Sequence, residues 1–476
     1  MSRRSLLAIA GAAIITSAGA AMTGLIVYPP NLLRVAANFS AKIVCSNVFL
    51  AARDEQSVLA NDVQAPGHPL LRLEQVQVDR QKGIVRAGLL GLIGDGLAVY
   101  RPGTGCAAVP DGQIAAASEF QFVRRPVLTP SPDLPWPQGA RAQINERLQE
   151  ILAKDELAGA GMRALLLIHD GRLVAERYVA GFQRDIPLAG WSMAKTVTAV
   201  LVGLQIANHH LKLDQAGLFP ARSPSDGRER ITVADLLAMS SGLRFNEDYG
   251  DVSDVTRMLY LESDMVKFAR EQPMEHPPGS HWSYSSGSSV LLSGIWQEVA
   301  GSAALTTPAE HLFEPLGMSS AVLEADSRGH FVGSSYMYAT AQDWARFGQF
   351  LLQDGVWDER RILPAGFVEM MRSEVPTSQG VYGKGQVWLR WSDRVPQQNA
   401  ASENRKLPPD TFWMRGHDGQ YVAIVPSRRL VLVRLGLTPH RLGYRPQALL
   451  TEVIDTLDAI DPKARVPLQK GNHDNR

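Results

Sequence analysis

Ser192-Met193-Ala194-Lys195 places a hydroxyl and an amine three residues apart, and residues three apart share one face of a helix. A serine hydroxyl is a weak nucleophile until a base takes its proton, and a lysine becomes that base when burial or a cationic neighbour lowers its pKa. Trp191 on one side and the helically spaced Met193, Val197, Val200, Leu201 and Leu204 on the other predict an amine drawn into the interior. A helix N-terminus at Ser192 adds a dipole that favours the negative charge developing there. By themselves the four residues also suit a helix cap followed by a solvated lysine.

Two further segments carry chemistry. Pro278-Gly279-Ser280-His281-Trp282-Ser283-Tyr284-Ser285-Ser286 is a turn followed by aromatics and hydroxyls, then a helical pattern. A phenol such as that of Tyr284 can relay a proton between serine and leaving group when cations stabilise its anion. Arg415-Gly416-His417-Asp418-Gly419-Gln420 leads into a strand pattern. Small residues at the start of an edge strand let a substrate lie against the backbone, and an exposed N–H there can complete an oxyanion hole with that of Ser192.

The elements that must position these groups are legible from turns and periodicity. Ala164 to Ile168 and Leu173 to Tyr178 flank Asp170-Gly171, an Asp-Gly between two apolar runs, which predicts a hairpin. A second hairpin is predicted from Tyr421 to Val425 and Leu430 to Leu435. Between them lie helical patterns at 233–240, 290–299 and 341–352. Two antiparallel hairpins far apart in sequence predict one sheet closed by both ends of the unit, an α+β layout. Pro126 to Gln138 carries five prolines, too many for a helix or central strand, and reads as a linker wrapping that unit.

Together the three chemistry-bearing segments, in this order and spacing, resemble the β-lactamase/penicillin-binding-protein superfamily, whose motifs are Ser-x-x-Lys, Tyr-x-Asn or Ser-x-Asn, and Lys-Thr-Gly or a His-x-Gly substitute. Asp235-Leu236-Leu237-Ala238-Met239-Ser240-Ser241-Gly242-Leu243, Phe313-Glu314-Pro315-Leu316-Gly317-Met318 and the run from Tyr338 to Gly348 resemble the branch holding class C β-lactamases, family VIII esterases and 6-aminohexanoate-dimer hydrolases. The resemblance covers roughly residues 141–460. It implies an antiparallel sheet flanked by helices plus an all-helical lobe, with the site in the cleft between them. It also implies Ser192 as the acylated nucleophile, Lys195 as base, Tyr284 as proton shuttle, and the N–H groups of Ser192 and Gln420 as oxyanion hole. Ser286, His417, Asp418 and Gly419 would contact substrate. Ser286 stands where the pattern has Asn, and His417 where a lysine helps hold a substrate carboxylate. These departures point to esters or short amides, with a D-amino-acid peptidase, a weak β-lactamase and a non-catalytic cell-wall binding relative as the alternatives.

Bulk composition agrees with a small ligand. Lys plus Arg and Asp plus Glu are 48 each without a long run of either sign, so no global field favours nucleic acid. No His-Glu-x-x-His and no Gly-x-x-x-x-Gly-Lys-Ser/Thr occurs, so neither a metal nor another cofactor is expected. Gly190-Trp191-Ser192-Met193-Ala194 falls one residue short of the Gly-x-Ser-x-Gly elbow, and the antiparallel hairpins oppose that parallel-sheet fold.

Arg3 and Arg4 precede an uncharged stretch from Ser5 to about Tyr28, which outlines an export signal. Residues 1–28 are thus expected to be a cleaved signal peptide or a retained anchor with possible membrane contact. The protein is then periplasmic, or held on the outer side of the cytoplasmic membrane. The two cysteines, Cys45 and Cys106, would pair in that compartment. Both lie in an N-terminal extension, residues 29–125, ahead of the hydrolase domain at 126–461 and a polar tail at 462–476.

Overall fold

The computed structural model describes Gly19 and residues 22–65, 67–125, 129–219, 226–391 and 406–460. Most of the expected export segment and all of the polar tail lie outside these residues. No helix among the described residues is long and apolar enough to cross a membrane, so the expected membrane contact gains no support from them.

The extension folds as a helix on a meander. Helix α1 (Asn31–Ala51) lies against strands β1 (Glu74–Asp79), β2 (Ile84–Leu89), β3 (Ile93–Arg101) and β4 (Gly105–Ala108), which pair antiparallel in chain order. The alternation at Val76 and Val78 and the run at Leu97 to Tyr100 are on β1 and β3. The 21-residue α1 was not signalled by periodicity, because it buries polar residues, Asn38, Ser40, Lys42, Ser46 and Asn47, beside apolar ones. Cys45 on α1 and Cys106 on β4 form the expected disulfide, with Cα atoms 6.0 Å apart.

The unit after the extension, in which a hydrolase is expected (hereafter the hydrolase unit), is built on both predicted hairpins. After helix α2 (Glu146–Leu152) come β5 (Met162–His169) and β6 (Arg172–Tyr178), joined through Asp170 and Gly171, both at positive φ as an Asp-Gly turn requires. A short strand β7 (Leu188–Ala189) precedes helix α3 (Ala194–Ala207) and helix α4 (Ser286–Ala300). Strands β8 (Val322–Leu323) and β9 (Met337–Ala339) join β7 in a small sheet, and helix α5 (Ala341–Leu352) follows. The chain returns through β10 (Phe412–Arg415), β11 (Tyr421–Val425) and β12 (Leu430–Gly436) to helix α6 (Pro446–Ile460). The main sheet runs β10-β11-β12-β5-β6, with β12 antiparallel to β5, so both ends of the unit meet at its centre.

Alternate residues of this sheet enter two different cores. Leu166, Ile168, Val422, Ile424, Val431 and Val433 pack in the core that holds Trp344 and Phe347 of α5, while Leu165, Leu167, Ala423 and Leu432 pack with Leu148 of α2 and Leu449 and Val453 of α6. Burial on both faces explains why these strands read as continuous apolar runs. The first core also contains Val35, Val44 and Val48 of α1, so the extension shares its hydrophobic interior with the hydrolase unit. The end of the proline-rich segment is tied to the hydrolase unit: the Arg346 guanidinium donates to Pro137 O at 3.0 Å and Gly139 O at 2.7 Å.

Candidate active site

Ser192 lies in a single 3₁₀ turn, Trp191–Met193, that feeds α3, so Lys195 falls on the first turn of the helix. Trp191 carries φ +50°, an uncommon conformation for a bulky residue, and such strain costs about 1–3 kcal/mol where surrounding packing enforces it. That packing comes from Tyr336 and His417, whose rings lie 6.4 and 5.5 Å from the indole. The twist thus occurs immediately before the nucleophile candidate.

Lys195 is 1% exposed. Its Nζ lies 3.1 Å from Ser192 Oγ, 3.0 Å from Ser286 Oγ and 3.0 Å from Ser334 O. It also sits 4.8 Å from the centroid of the Tyr284 ring. The structure thus brings Ser192, Lys195, Tyr284 and Ser286 together. The Tyr284 ring is held against Tyr382 and Trp388, at centroid distances of 6.0 and 5.2 Å.

A residue that sequence reasoning did not single out completes the cluster. Glu247 accepts a hydrogen bond from Ser286 Oγ at 2.5 Å and another from Ser286 N at 2.8 Å. Ser286 is the first residue of α4, so the carboxylate also caps the positive end of that helix. Nothing local marks Glu247 among the other loop acids, since its role depends on a contact 39 residues away.

Donor counting fixes the direction of each bond. Ser286 has one hydroxyl proton, and an ionised carboxylate can only accept, so that proton points at Glu247 and Ser286 Oγ receives one from Lys195. Ser334 O is a carbonyl and also only accepts. Two amine hydrogens of Lys195 are thereby committed, and the remaining tetrahedral position of its nitrogen faces Ser192 Oγ at 3.1 Å. Glu247 thus holds the Lys195 amine in place through Ser286. Glu247→Ala is expected to lower kcat on a turned-over ester about tenfold or more with KM little changed. Steady-state kinetics check this, and an effect confined to KM would contradict it.

The third segment is only partly as expected. Gly416 is required by close approach: a Cβ there would come within 2.1 Å of Gly190 O, so the end of β10 lies directly against the nucleophile turn. Gly416 N donates to Gln420 O at 2.8 Å. In extended backbone the N–H and C=O of one residue point the same way, so the Gln420 amide is directed across the hairpin at Gly416. Its side chain is occupied with Gly436, whose N donates to Gln420 Oε1 at 2.9 Å. By the trans geometry of the peptide, the His417 N–H points to the opposite side from the Gly416 carbonyl. The carbonyls of Asp418 and Gly419 accept from Thr438 N at 2.8 Å and Arg434 Nη1 at 2.9 Å, anchoring the turn to its own sheet. His417 is exposed, and its ring packs 5.3 Å from that of Tyr249. Of the other aromatics that could line a pocket, Trp413 and Tyr336 are buried in the core, while Trp282 and Trp388 are half-buried near Tyr284.

Residues 144–450, more than half of the chain, match the model of the beta-lactamase family. The chain belongs to the beta-lactamase family. Among relatives of known description, a 6-aminohexanoate-dimer hydrolase of Paenarthrobacter ureafaciens is 24% identical over 329 residues, covering 62% of this chain and 79% of that one. A provisional 6-aminohexanoate-dimer hydrolase from Bacillus anthracis has a solved structure with TM-score 0.53 and 22% identity, over 66% of this chain and 82% of that one. The structure of EstCE1, a hydrolase with promiscuous acyltransferase activity, gives TM-score 0.51 at 16% identity, over 66% and 97%. These structural likenesses establish the shared β-lactamase fold, the α+β arrangement expected from the hairpins. The family match begins at residue 144, so the α1–β4 extension lies outside the matched region.

Proposed function

We propose that this beta-lactamase-family protein is a serine hydrolase that cleaves esters or short amides through an acyl-enzyme on Ser192. The observation that carries the proposal is the buried Lys195 amine, with two hydrogens committed to Ser286 Oγ and Ser334 O and its remaining position, the lone pair of the free base, 3.1 Å from Ser192 Oγ. Lys195 takes the Ser192 proton as Oγ bonds to the substrate carbonyl carbon, and the carbonyl oxygen becomes an oxyanion. The N–H of Ser192 and a second N–H from the 416–420 turn stabilise it; the hairpin geometry favours His417 over Gln420 as that second donor. Collapse of the adduct expels the alcohol or amine, which leaves protonated by way of Lys195 and Tyr284. Water, deprotonated by the same groups, then bonds to the acyl carbon, and Ser192 recovers its proton as the acid departs.

Serine at 286 and histidine at 417 support esters or amides over β-lactams, since a neutral imidazole holds a carboxylate less well than an ammonium does. The names of two relatives point the same way, one to a short amide oligomer and one to hydrolysis with acyl transfer. We further propose that the protein works outside the cytosol, a reading supported by the disulfide and the uncharged N-terminal run. The test is one preparation of purified protein assayed with p-nitrophenyl acetate, the 6-aminohexanoate dimer and nitrocefin. Turnover of the ester or dimer well above that of nitrocefin is expected. Preferred cleavage of nitrocefin would overturn the substrate class, and turnover of none would return the chain to a non-catalytic binder.

A further inference from the structure

The extension does more than cover the hydrolase unit. A cavity of about 400 Å³, within the range of small-molecule sites, lies between α1, the segment that follows it and the catalytic cleft. Toward the site it is lined by Trp191, the residue before Ser192, and by His417 of the 416–420 turn, whose ring lies 5.5 Å from the indole. Its walls are mainly apolar: Val35, Ala36 and Phe39 from α1, Leu71 from the loop before β1, and Tyr260 opposite them. Three acids line it: Asp62 is neutralised by Arg53 at 2.7 Å and Arg163 at 2.6 Å, Asp418 lies 3.5 Å from His417 Nε2, and Asp251 is on the exposed side. Leu32, 38% exposed, stands at the outer rim.

We propose that this cavity seats an aliphatic acyl chain of medium length on the ester substrate, and that the extension is therefore a specificity element of the enzyme. The inference rests on the acyl-enzyme reading of Ser192. The walls are fixed before a ligand arrives, because α1 is held by the Cys45–Cys106 disulfide and by Lys42, whose Nζ lies 2.6 Å from Glu324 of the hydrolase unit. A preformed apolar cavity gains with each methylene it removes from water, up to about fourfold per fully buried group. Against the aliphatic part of these walls the amides of a polar oligomer would be left unpaired.

The full chain is assayed with dissolved p-nitrophenyl acetate, butyrate, hexanoate and octanoate. The kcat/KM is expected to rise at least tenfold from acetate to octanoate. Ala36→Phe, which fills the cavity, and Leu32→Asp, which charges an exposed rim position that folding does not depend on, are each expected to lower the octanoate-to-acetate ratio by about tenfold. A ratio that is flat or falls with chain length in the native protein overturns the inference while leaving the hydrolase reading standing, as does an unchanged ratio in Leu32→Asp. Failure to turn over any of the four esters overturns both.

Discussion

Ser192→Ala is expected to remove ester turnover by a factor on the order of 10⁴ or more while leaving the melting temperature within a few degrees of the native protein. The hydroxyl is half-buried and its side-chain hydrogen bond is to Lys195, so its loss costs the fold little. Chemistry loses the atom that forms the acyl bond. Lys195→Ala should cost roughly 10²–10⁴-fold, as lost proton-transfer groups do. Because the two act as one unit, the double variant should be no slower than Ser192→Ala alone. Kinetics of the three variants beside thermal melts check this. Equal, additive losses would mean that the lysine acts elsewhere than on the serine proton.

The second large effect is on stability and concerns the joint between extension and hydrolase unit. Glu324, which follows β8, is fully buried and accepts from Lys42 Nζ at 2.6 Å, Ser46 Oγ at 2.9 Å and Cys106 N at 2.7 Å. Arg101 adds bonds to the neighbouring carbonyls, Ala325 O at 2.6 Å and Asp326 O at 2.8 Å. Burial pushes the Lys42 amine below its usual pKa, against the pull of Glu324. Lys42→Met removes the cation and strands the carboxylate in the interior, a change that costs about 3–5 kcal/mol. Glu324→Gln in the same chain removes the stranded charge, so the double variant should recover much of that loss. Thermal melts are expected to show Lys42→Met far below the native protein and the double variant between them. If the double variant melts no higher than Lys42→Met, packing and not the charge pair holds the joint.

This joint reaches the chemistry. The Lys42 amine lies 3.9 Å from the centroid of Tyr336, and Tyr336 is one of the two rings that hold Trp191 in its strained turn. Loosening α1 should therefore lower activity as well as stability, which a simple covering domain would not do.

What the sequence made legible was local. Asp170-Gly171 demands positive φ and so announced its hairpin, and the spacing of Ser192, Lys195 and the apolar residues after them announced a helix with an amine turned inward. The second hairpin is likewise a run of apolar residues broken by a turn, and its pairing with β5 follows from the need to bury both. The features that stayed hidden depend on distant partners. Helix α1 is hidden because its buried polar side chains meet protein, not water: Lys42, Ser46 and Asn47 reach Glu324 and Tyr338 of the hydrolase unit, and Asn38 accepts from Leu97 N. Glu247 acts on Ser286 across a loop, and Gln420 faces its own hairpin because of one backbone bond from Gly416. The apolar cavity is made by segments more than 100 residues apart in the chain, so no window of sequence could display it.

The central claim is that Ser192 becomes covalently acylated with Lys195 as its base. It is tested most directly by treating the native protein and Lys195→Ala with a fluorophosphonate and mapping the adduct by peptide mass spectrometry. One stoichiometric adduct on Ser192 is expected in the native protein, with labelling at least tenfold slower in the variant. An adduct on another residue, or none at all on a folded sample, would contradict it.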